Sequence, residues 1–379
     1  MTSPATNVWL AEGQSSQRDM LASLQMLKSQ HMTASKPPFT VYCSHRSYRP
    51  EIFEFADQAF TEPKELTTNV SIESVESILS DLTDLARWQF VLEQAQQHQV
   101  KVLLTGRNSI AYEAQRPLFE AAGIRLLTGA TCTEMLEKID DKFQFIQHCQ
   151  THGIPVSEGW RFDNLAQLTE LLEKHGHQLL CVKPISGIFA QGFWILDTGL
   201  DSDALGQENP QFDSFEHLYF TDNRRIQTEQ FISAYANSQM VLERPIPMLL
   251  MPYLAGREYS IDVVCERGEV LAAITRHKVG KVQHIGYDEE VMQVVIPLIK
   301  AFGCDGIVSV QTKQDDEGVH RVLEINSRPS GGIGYTTHSG VDLTQVGFGY
   351  WLGLSGKPNL TDIAKQIIPC QVRSIMVSV

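Results

Sequence analysis

An α/β domain followed by an α+β region is the fold class that this sequence predicts, on three observations. In the first third, short apolar runs alternate with stretches of helical spacing, the signature of βαβ units around a parallel sheet. From about residue 241 onward, strand-like runs follow one another with one clear helix among them. The length, 379 residues, suits two or three domains at roughly 100–200 residues each.

The elements follow in order. Residues 7–12 are a short apolar run, and Met20, Leu21, Leu24 and Leu27 then recur at helical spacing. Residues 39–43 read as a strand, 90–97 as a helix, 100–104 as a buried strand, 110–121 as a helix and 124–127 as a strand. This makes residues 1–130 a doubly wound domain. Helices are expected over 131–138, 142–152 and 165–175, with Gly153-Ile154-Pro155 as a breaker. A strand is expected over 178–184, and the acidic stretch 197–230 reads as a surface excursion. Residues 131–247 form the expected middle domain. In the last, 248–379, strands are expected over 248–254, 259–265, 270–277, 306–312 and 320–325, and a helix over 292–302. No internal repeat or low-complexity segment occurs.

Hydrophobic residues at 42% and charged residues at 20% mark an ordinary globular chain. A formal net charge of −14 argues against nucleic acid as a partner. The seven cysteines show no Cys-x-x-Cys pair, which suits a reducing compartment with Cys181 and Cys265 as apolar core residues. The N-terminus lacks the basic and apolar regions of a signal peptide, and no run approaches the ~18 apolar residues of a membrane span. No membrane is expected, and the cytoplasm is the expected location.

Four segments carry chemistry. In residues 321–326 the alternation puts Glu324 and Asn326 on one face, with Leu323 and Ile325 toward the core. Asp315-Asp316-Glu317-Gly318 suits a hairpin turn that returns Gln311 to within a residue or so of Glu324. A carboxylate and two amide oxygens on one patch suit Mg²⁺, and Arg328 adds a fixed cationic fork. Alone, the same pattern also suits a solvated edge hairpin. Next, Lys183 ends a strand that enters the turn Ser186-Gly187-Ile188-Phe189-Ala190-Gln191-Gly192, where glycines let N–H groups approach phosphate. Alone, that is an ordinary β-turn, and it is not a P-loop. In Met251-Pro252-Tyr253-Leu254, Pro252 suggests a hinge rather than a central strand, and Glu258 follows as a candidate partner for ribose. Lastly, Lys142 follows Asp141 at a helix start, where a solvated lysine is the usual finding.

In their order and spacing, Lys142, Lys183 with its loop, Glu258, Gln311, Glu324, Asn326 and Arg328 resemble the ATP-grasp superfamily over nearly the whole chain. The resemblance is especially to the branch that includes carbamoyl-phosphate synthase large chains and carboxylate–amine ligases. The run Glu324-Ile325-Asn326-Ser327-Arg328-Pro329-Ser330-Gly331-Gly332 is the most specific piece. The resemblance implies an α/β domain, a lid subdomain and a C-terminal α+β lobe. By the same resemblance Lys142, Lys183, Ser186, Gly187 and Gly192 bind ATP phosphates, while Met251, Pro252, Tyr253 and Leu254 line the adenine and Glu258 takes the ribose. Gln311, Glu324 and Asn326 hold Mg²⁺, one ion or two, with Mn²⁺ as a substitute. Arg328 and Arg276 stabilise the transferring phosphoryl group. The implied reaction joins a small-molecule carboxylate to an amine through an acyl phosphate and releases ADP and phosphate. Positioning and charge neutralisation do most of that work, so no nucleophilic side chain is needed. Such ligases often form homodimers, and that option stays open.

The chain departs from the family pattern in places. No acidic residue stands at Met251-Pro252, Ala190 replaces a serine or glycine, and Gln311 is neutral where many relatives are acidic. Arg276, Lys278 and the loop 330–338, including His338, are candidates for the substrate side. Glu12-Gly13-Gln14-Ser15 and Thr105-Gly106-Arg107-Asn108, at strand ends, are further ones. His148 and His152 share a helix face but lack the other ligands of a zinc protease. The alternatives are a carbamoyl-phosphate synthase-like phosphotransfer enzyme and a non-catalytic ATP-binding protein on the same fold.

Overall fold

The computed structural model describes residues 6–13, 16–33, 37–63, 87–186, 192–197, 224–242 and 245–374. The chain divides into two compact units. Met1–Glu137, Arg257–Thr312 and Glu324–Val379 form the first, and Lys138–Gly256 with Lys313–Leu323 the second. The expected segments 1–130 and 248–379 therefore fall largely in one unit, and 131–247 largely in the other.

The first unit begins with β1 (Asn7–Leu10), β2 (Val41–His45), β3 (Gln58–Thr61), β4 (Val100–Leu104) and β5 (Arg125–Leu127), a parallel sheet in the order β3-β2-β1-β4-β5. β1 and β2 are buried throughout, as strands covered on both faces must be. The strand order reverses at β1, so the loops after β1 and β4 lie side by side at a topological switch point. There the Arg107 N–H donates to the Glu12 carbonyl over 3.1 Å, and a side chain at Gly106 would collide with that same carbonyl. The helix Ser16–Gln30 buries Met20, Leu21, Leu24 and Leu27, the spacing expected of it. The single helix expected over 110–121 is two, Ser109–Glu113 and Arg116–Ala121. Pro117 sits in the first turn of the second helix, where its missing N–H does no harm. β6 (Gly129–Ala130) ends this part.

The second unit is built on β7 (Trp160–Phe162), β8 (Leu180–Pro184), β9 (Trp194–Asp197), β10 (Arg225–Gln227) and β11 (Met248–Pro252), in the order β10-β9-β8-β11-β7. One face packs Leu168 of the helix Leu165–His175 and Phe231 and Tyr235 of the helix Thr228–Leu242. The other face carries Ile146 of the helix Lys142–Thr151 over Cys181, Ile195, Leu249 and Met251. Of the acidic stretch 197–230, residues 198–223 lie outside the described residues, and its end forms β10 and the start of a helix. β11 lies between β8 and β7, so residues 248–252 form a central strand rather than the expected hinge. Pro252 is tolerated because it is the last residue of that strand.

The chain returns to the first unit with β12 (Glu258–Glu266), β13 (Glu269–Val279) and β14 (Val282–Gly286). β12 and β13 are joined through Arg267 (φ 48°) and Gly268 (φ 85°), the two left-handed positions of a type I′ turn. The helix Glu289–Ala301 follows, then β15 (Cys304–Gln314), β16 (His320–Asn326) and β17 (Cys370–Val372). Their sheet runs β16-β15-β12-β13-β14-β17, and β6 pairs with β15. The helix Leu343–Trp351 buries Phe348 and packs on β12 and β13. The hairpin expected between β15 and β16 forms. The Asp315 carboxylate accepts from the N–H groups of Glu317 and Val319, and Gly318 takes φ 79°. Cys181 and Cys265 are buried, as expected.

Candidate active site

The second unit gathers the expected phosphate-binding residues. β8 carries Cys181 and Lys183 on one face, because alternate residues of a strand point the same way. Lys183 is half-buried, pairs with Leu249 across the sheet and leads into the turn at Ile185 and Ser186. Lys142 reaches that same turn. Asp141 caps its helix by accepting from the Phe143 and Gln144 N–H groups, both at 2.9 Å. The cap fixes the first turn, and the Lys142 backbone N–H then donates to the Ile185 carbonyl over 3.1 Å. The Lys142 ammonium donates to the same carbonyl over 3.4 Å. Ser186 is exposed; Gly187 and Ala190 lie outside the described residues. Gly192 has φ 69°, and a side chain there would press on Pro184.

The residues expected along the adenine follow on β11. Met251 is buried on the Ile146 and Cys181 face. Pro252 and Leu254 are half-buried, and Tyr253 packs on the same apolar cluster while its N–H donates to the Leu179 carbonyl. Lys313, from the end of β15, lies over the Tyr253 ring with its nitrogen 4.5 Å from the centroid. The sequence reading missed that contact, since sixty residues separate the partners and nothing local signals it.

In the first unit, Gln311 is half-buried on β15, and the neighbouring β16 brings Glu324 and Asn326, also half-buried. The Asn326 amide N–H donates to Glu324 Oε1 over 3.0 Å. That bond uses one Glu324 oxygen and the amide nitrogen of Asn326, not its oxygen. The donor set is all oxygen, which fits a hard Mg²⁺ ion. Among the described residues no three His, Cys, Asp or Glu side chains cluster as a metal site. An ion here would therefore depend on one carboxylate, two amide oxygens, and phosphate or water. Ile325 points to the core as expected, whereas Leu323 is only half-buried. Val322, on the face of Glu324 and Asn326, is buried, with its N–H on the Pro155 carbonyl. Arg328 is half-buried two residues past Asn326. Gly129 (φ 96°) backs so closely on Ser327 that no side chain would fit there.

Arg276, a candidate for the phosphoryl group and the substrate side, lies inside the fold. It is 4% exposed, and its Nε donates to Asp262 Oδ2 over 2.8 Å. Its Nη2 donates to Ser330 Oγ over 2.8 Å, and Ser330 donates in turn to Asp262 Oδ1 over 2.7 Å. The Gly332 N–H closes the set by donating to Ser330 Oγ. A side chain at Gly332 would run into the guanidinium. Asp262 is wholly buried and was not foreseen. Lys278 and His338 are exposed, and so is Glu258, the first residue of β12. The His148 and His152 rings lie 4.3 Å apart at a helix end, where His152 Nδ1 contacts the His148 carbonyl as a polar helix face would.

Residues 244–375 match the family model described as ATP-grasp in the biosynthetic pathway with Ter operon. Solved structures match over nearly the full length. The L-amino acid ligase from Bacillus licheniformis superposes with a TM-score of 0.60 at 13% identity, covering 96% of this chain and 77% of the ligase. The biotin carboxylase from Campylobacter jejuni, in a β-γ-ATP complex, gives 0.59 at 14%, covering 96% and 73%. This chain has the ATP-grasp fold. The N5-carboxyaminoimidazole synthetase from Staphylococcus aureus, complexed with ADP, gives 0.59 at 12%, covering 92% of this chain and 78% of the synthetase. No curated protein matches by sequence. Among the described residues, no helix is long and apolar enough to cross a membrane.

Proposed function

We propose that the protein is an ATP- and Mg²⁺-dependent carboxylate–amine ligase that works through an acyl phosphate. The observation that carries this reading is the Glu324, Asn326 and Arg328 array on and just beyond β16, with its all-oxygen donor set beside a cationic fork. In the second unit Lys142 and Lys183 hold the phosphate chain, with Ser186, Gly187 and Gly192 as the covering loop. Met251, Pro252, Tyr253 and Leu254 take the base, and Glu258 takes the ribose. Gln311, Glu324 and Asn326 hold Mg²⁺, one ion or two, and Mn²⁺ can stand in. The bound ion and nucleotide supply charge neutralisation and the transferable phosphoryl group.

The substrate carboxylate oxygen attacks the γ-phosphorus, and ADP leaves. The amine then attacks the acyl carbon, phosphate leaves, and the amine proton is lost to solvent. Arg328 orients the transferring group and offsets its charge. Arg276 acts from behind: with Asp262 and Ser330 it fixes the loop at Gly331 and Gly332, and its remaining Nη1 edge faces that loop. We assign the carboxylate substrate to the neighbourhood of this loop, where glycine backbone admits close approach.

The test is ADP release with pooled amino acids and other small carboxylates, run with and without hydroxylamine. Hydroxylamine intercepts an acyl phosphate as a hydroxamate. Carboxylate-dependent ADP release with hydroxamate formation is expected. ATP binding with no ADP release from any pool would favour the non-catalytic ATP-binding reading. ADP release with bicarbonate alone would favour the carbamoyl-phosphate type of chemistry.

A further inference from the structure

The apolar face of the second unit is bordered by a lysine that neither the fold nor its motifs assign. Lys313 leaves the end of β15 half-buried, with its ammonium 4.5 Å from the centre of the Tyr253 ring. Tyr253 itself packs on the cluster of Ile146, Cys181, Leu249 and Met251. The backbone holds the two together. Gly256 packs so tightly on the neighbouring Gln314 that a β-carbon would lie 2.5 Å from its carbonyl oxygen. The Cys181 thiol, buried on this face, is pushed up to about 11 by desolvation, while the Lys183 and Lys313 ammoniums pull it the other way. Two lysines thus lie near one buried thiol in an apolar cluster.

Among the described residues Lys313 makes no ion pair, although the chain carries 45 acidic residues. A half-buried ammonium held by an aromatic face is partly desolvated and gives up little on changing partner. Its three donors are available to an acceptor from outside. Its place along the strand says which end of a ligand it meets. Lys183 pairs with Leu249, and Tyr253 lies four residues further on, roughly 13 Å at strand rise. Lys183 therefore serves the phosphate end and Lys313 the opposite one.

We propose that Lys313 is a nucleotide-binding residue whose ammonium leaves the Tyr253 ring and donates to the nucleoside end of the ligand, at a ring nitrogen or a ribose oxygen. The assignment rests on the nucleotide reading given above and extends it to a side chain outside the expected set. Tyr253 is the resting place of the cation and keeps it beside the base.

The experiment is calorimetric titration of the full chain with adenosine, ADP and ATP in Mg²⁺, for wild type, Lys313→Met, Lys313→Arg and Lys183→Met. Lys313→Met should weaken all three ligands by about the same factor, roughly tenfold, the lower end for a hydrogen bond to a charged group. Lys313→Arg should retain most of the affinity, which also controls for folding. Lys183→Met should weaken ATP most and leave adenosine unchanged. Unchanged adenosine affinity in Lys313→Met, or a loss that grows with each phosphate, overturns the assignment and leaves the nucleotide reading standing. Failure of wild type to bind ATP removes both.

Discussion

In the first unit Arg276 is held by Asp262 and Ser330, both in hydrogen-bond contact, with Asp262 wholly buried. In the second unit Lys313 rests on the face of Tyr253, and Lys142 leans on the Ile185 carbonyl at 3.4 Å. One cation is fixed by a charge-assisted network that leaves it a single orientation. Lys313 is a compact ammonium on a flexible stem, held by a ring contact weak enough to exchange. The difference matches the work proposed for each unit. Phosphoryl transfer needs charge placed in advance, because reorientation during the reaction raises the barrier. Nucleotide capture needs groups that change partner as the ligand arrives. Arginine and lysine are not interchangeable in these places.

The sharpest way to break this contrast is to free the arginine. Asp262→Ala leaves the Arg276 guanidinium buried without its carboxylate and should cost about 3–5 kcal/mol in urea unfolding. Asp262→Asn should cost less. A loss below ~1 kcal/mol, the size of a surface pair, would mean that Arg276 is not fixed as described. Gly332→Ala pushes a methyl group into the guanidinium and should cost about 1–3 kcal/mol as an overpacking change, again read by urea unfolding. If the variant is as stable as wild type, the loop moves freely and Arg276 does not set its position. On the other side of the comparison, Asp141→Ala removes the cap of the Lys142 helix and should cost about 1 kcal/mol. Lys142 keeps its backbone bond to Ile185, so Mg-ATP should still raise the melting temperature of this variant. Loss of that response would show that Lys142 is placed by its cap alone.

The smallest effect concerns the β15–β16 turn. Burial alone would raise the Asp315 carboxyl, but the Arg321 guanidinium at 2.9 Å and the Val319 and Glu317 N–H groups outweigh it and hold it below its ordinary 3.8. A lowered folded value stabilises the protein above the unfolded value and ceases to do so as pH falls through the folded one. The stability gap between wild type and Asp315→Asn should therefore be present at about pH 6 and shrink toward about pH 2. A gap that does not change with pH would mean that Asp315 acts only as a neutral turn residue.

Much of the fold was legible because its signals are local. β4 coincides with the expected run, and the helix Leu165–His175 matches its expectation residue for residue. The β15–β16 turn announced itself through Asp315 and Gly318. The helix Leu343–Trp351 did not, since Gly347 and Gly349 weaken a helical reading. Yet Gly347 is required there, because a β-carbon would sit 2.9 Å from the Trp351 ring. Pro252 misleads for a related reason: it suggests a hinge, whereas it is the last residue of a central strand. In the candidate site, the residues that recur in a motif were found from sequence. Asp262 lies in an apolar strand and gains meaning only from Arg276 and Ser330, which the fold brings to it. Lys313 gains meaning only from Tyr253. Partners far apart in the chain leave no trace in spacing or periodicity.

Ligand-dependent melting tests most directly the proposal that Glu324 in the first unit and Lys183 in the second each contribute to binding Mg-ATP. Millimolar ATP with Mg²⁺ should raise the melting temperature of wild type by linkage. The shift should vanish in Glu324→Ala and in Lys183→Ala, each of which should melt near the wild-type temperature without ligand. No shift in wild type, or an undiminished shift in both variants, would contradict the account.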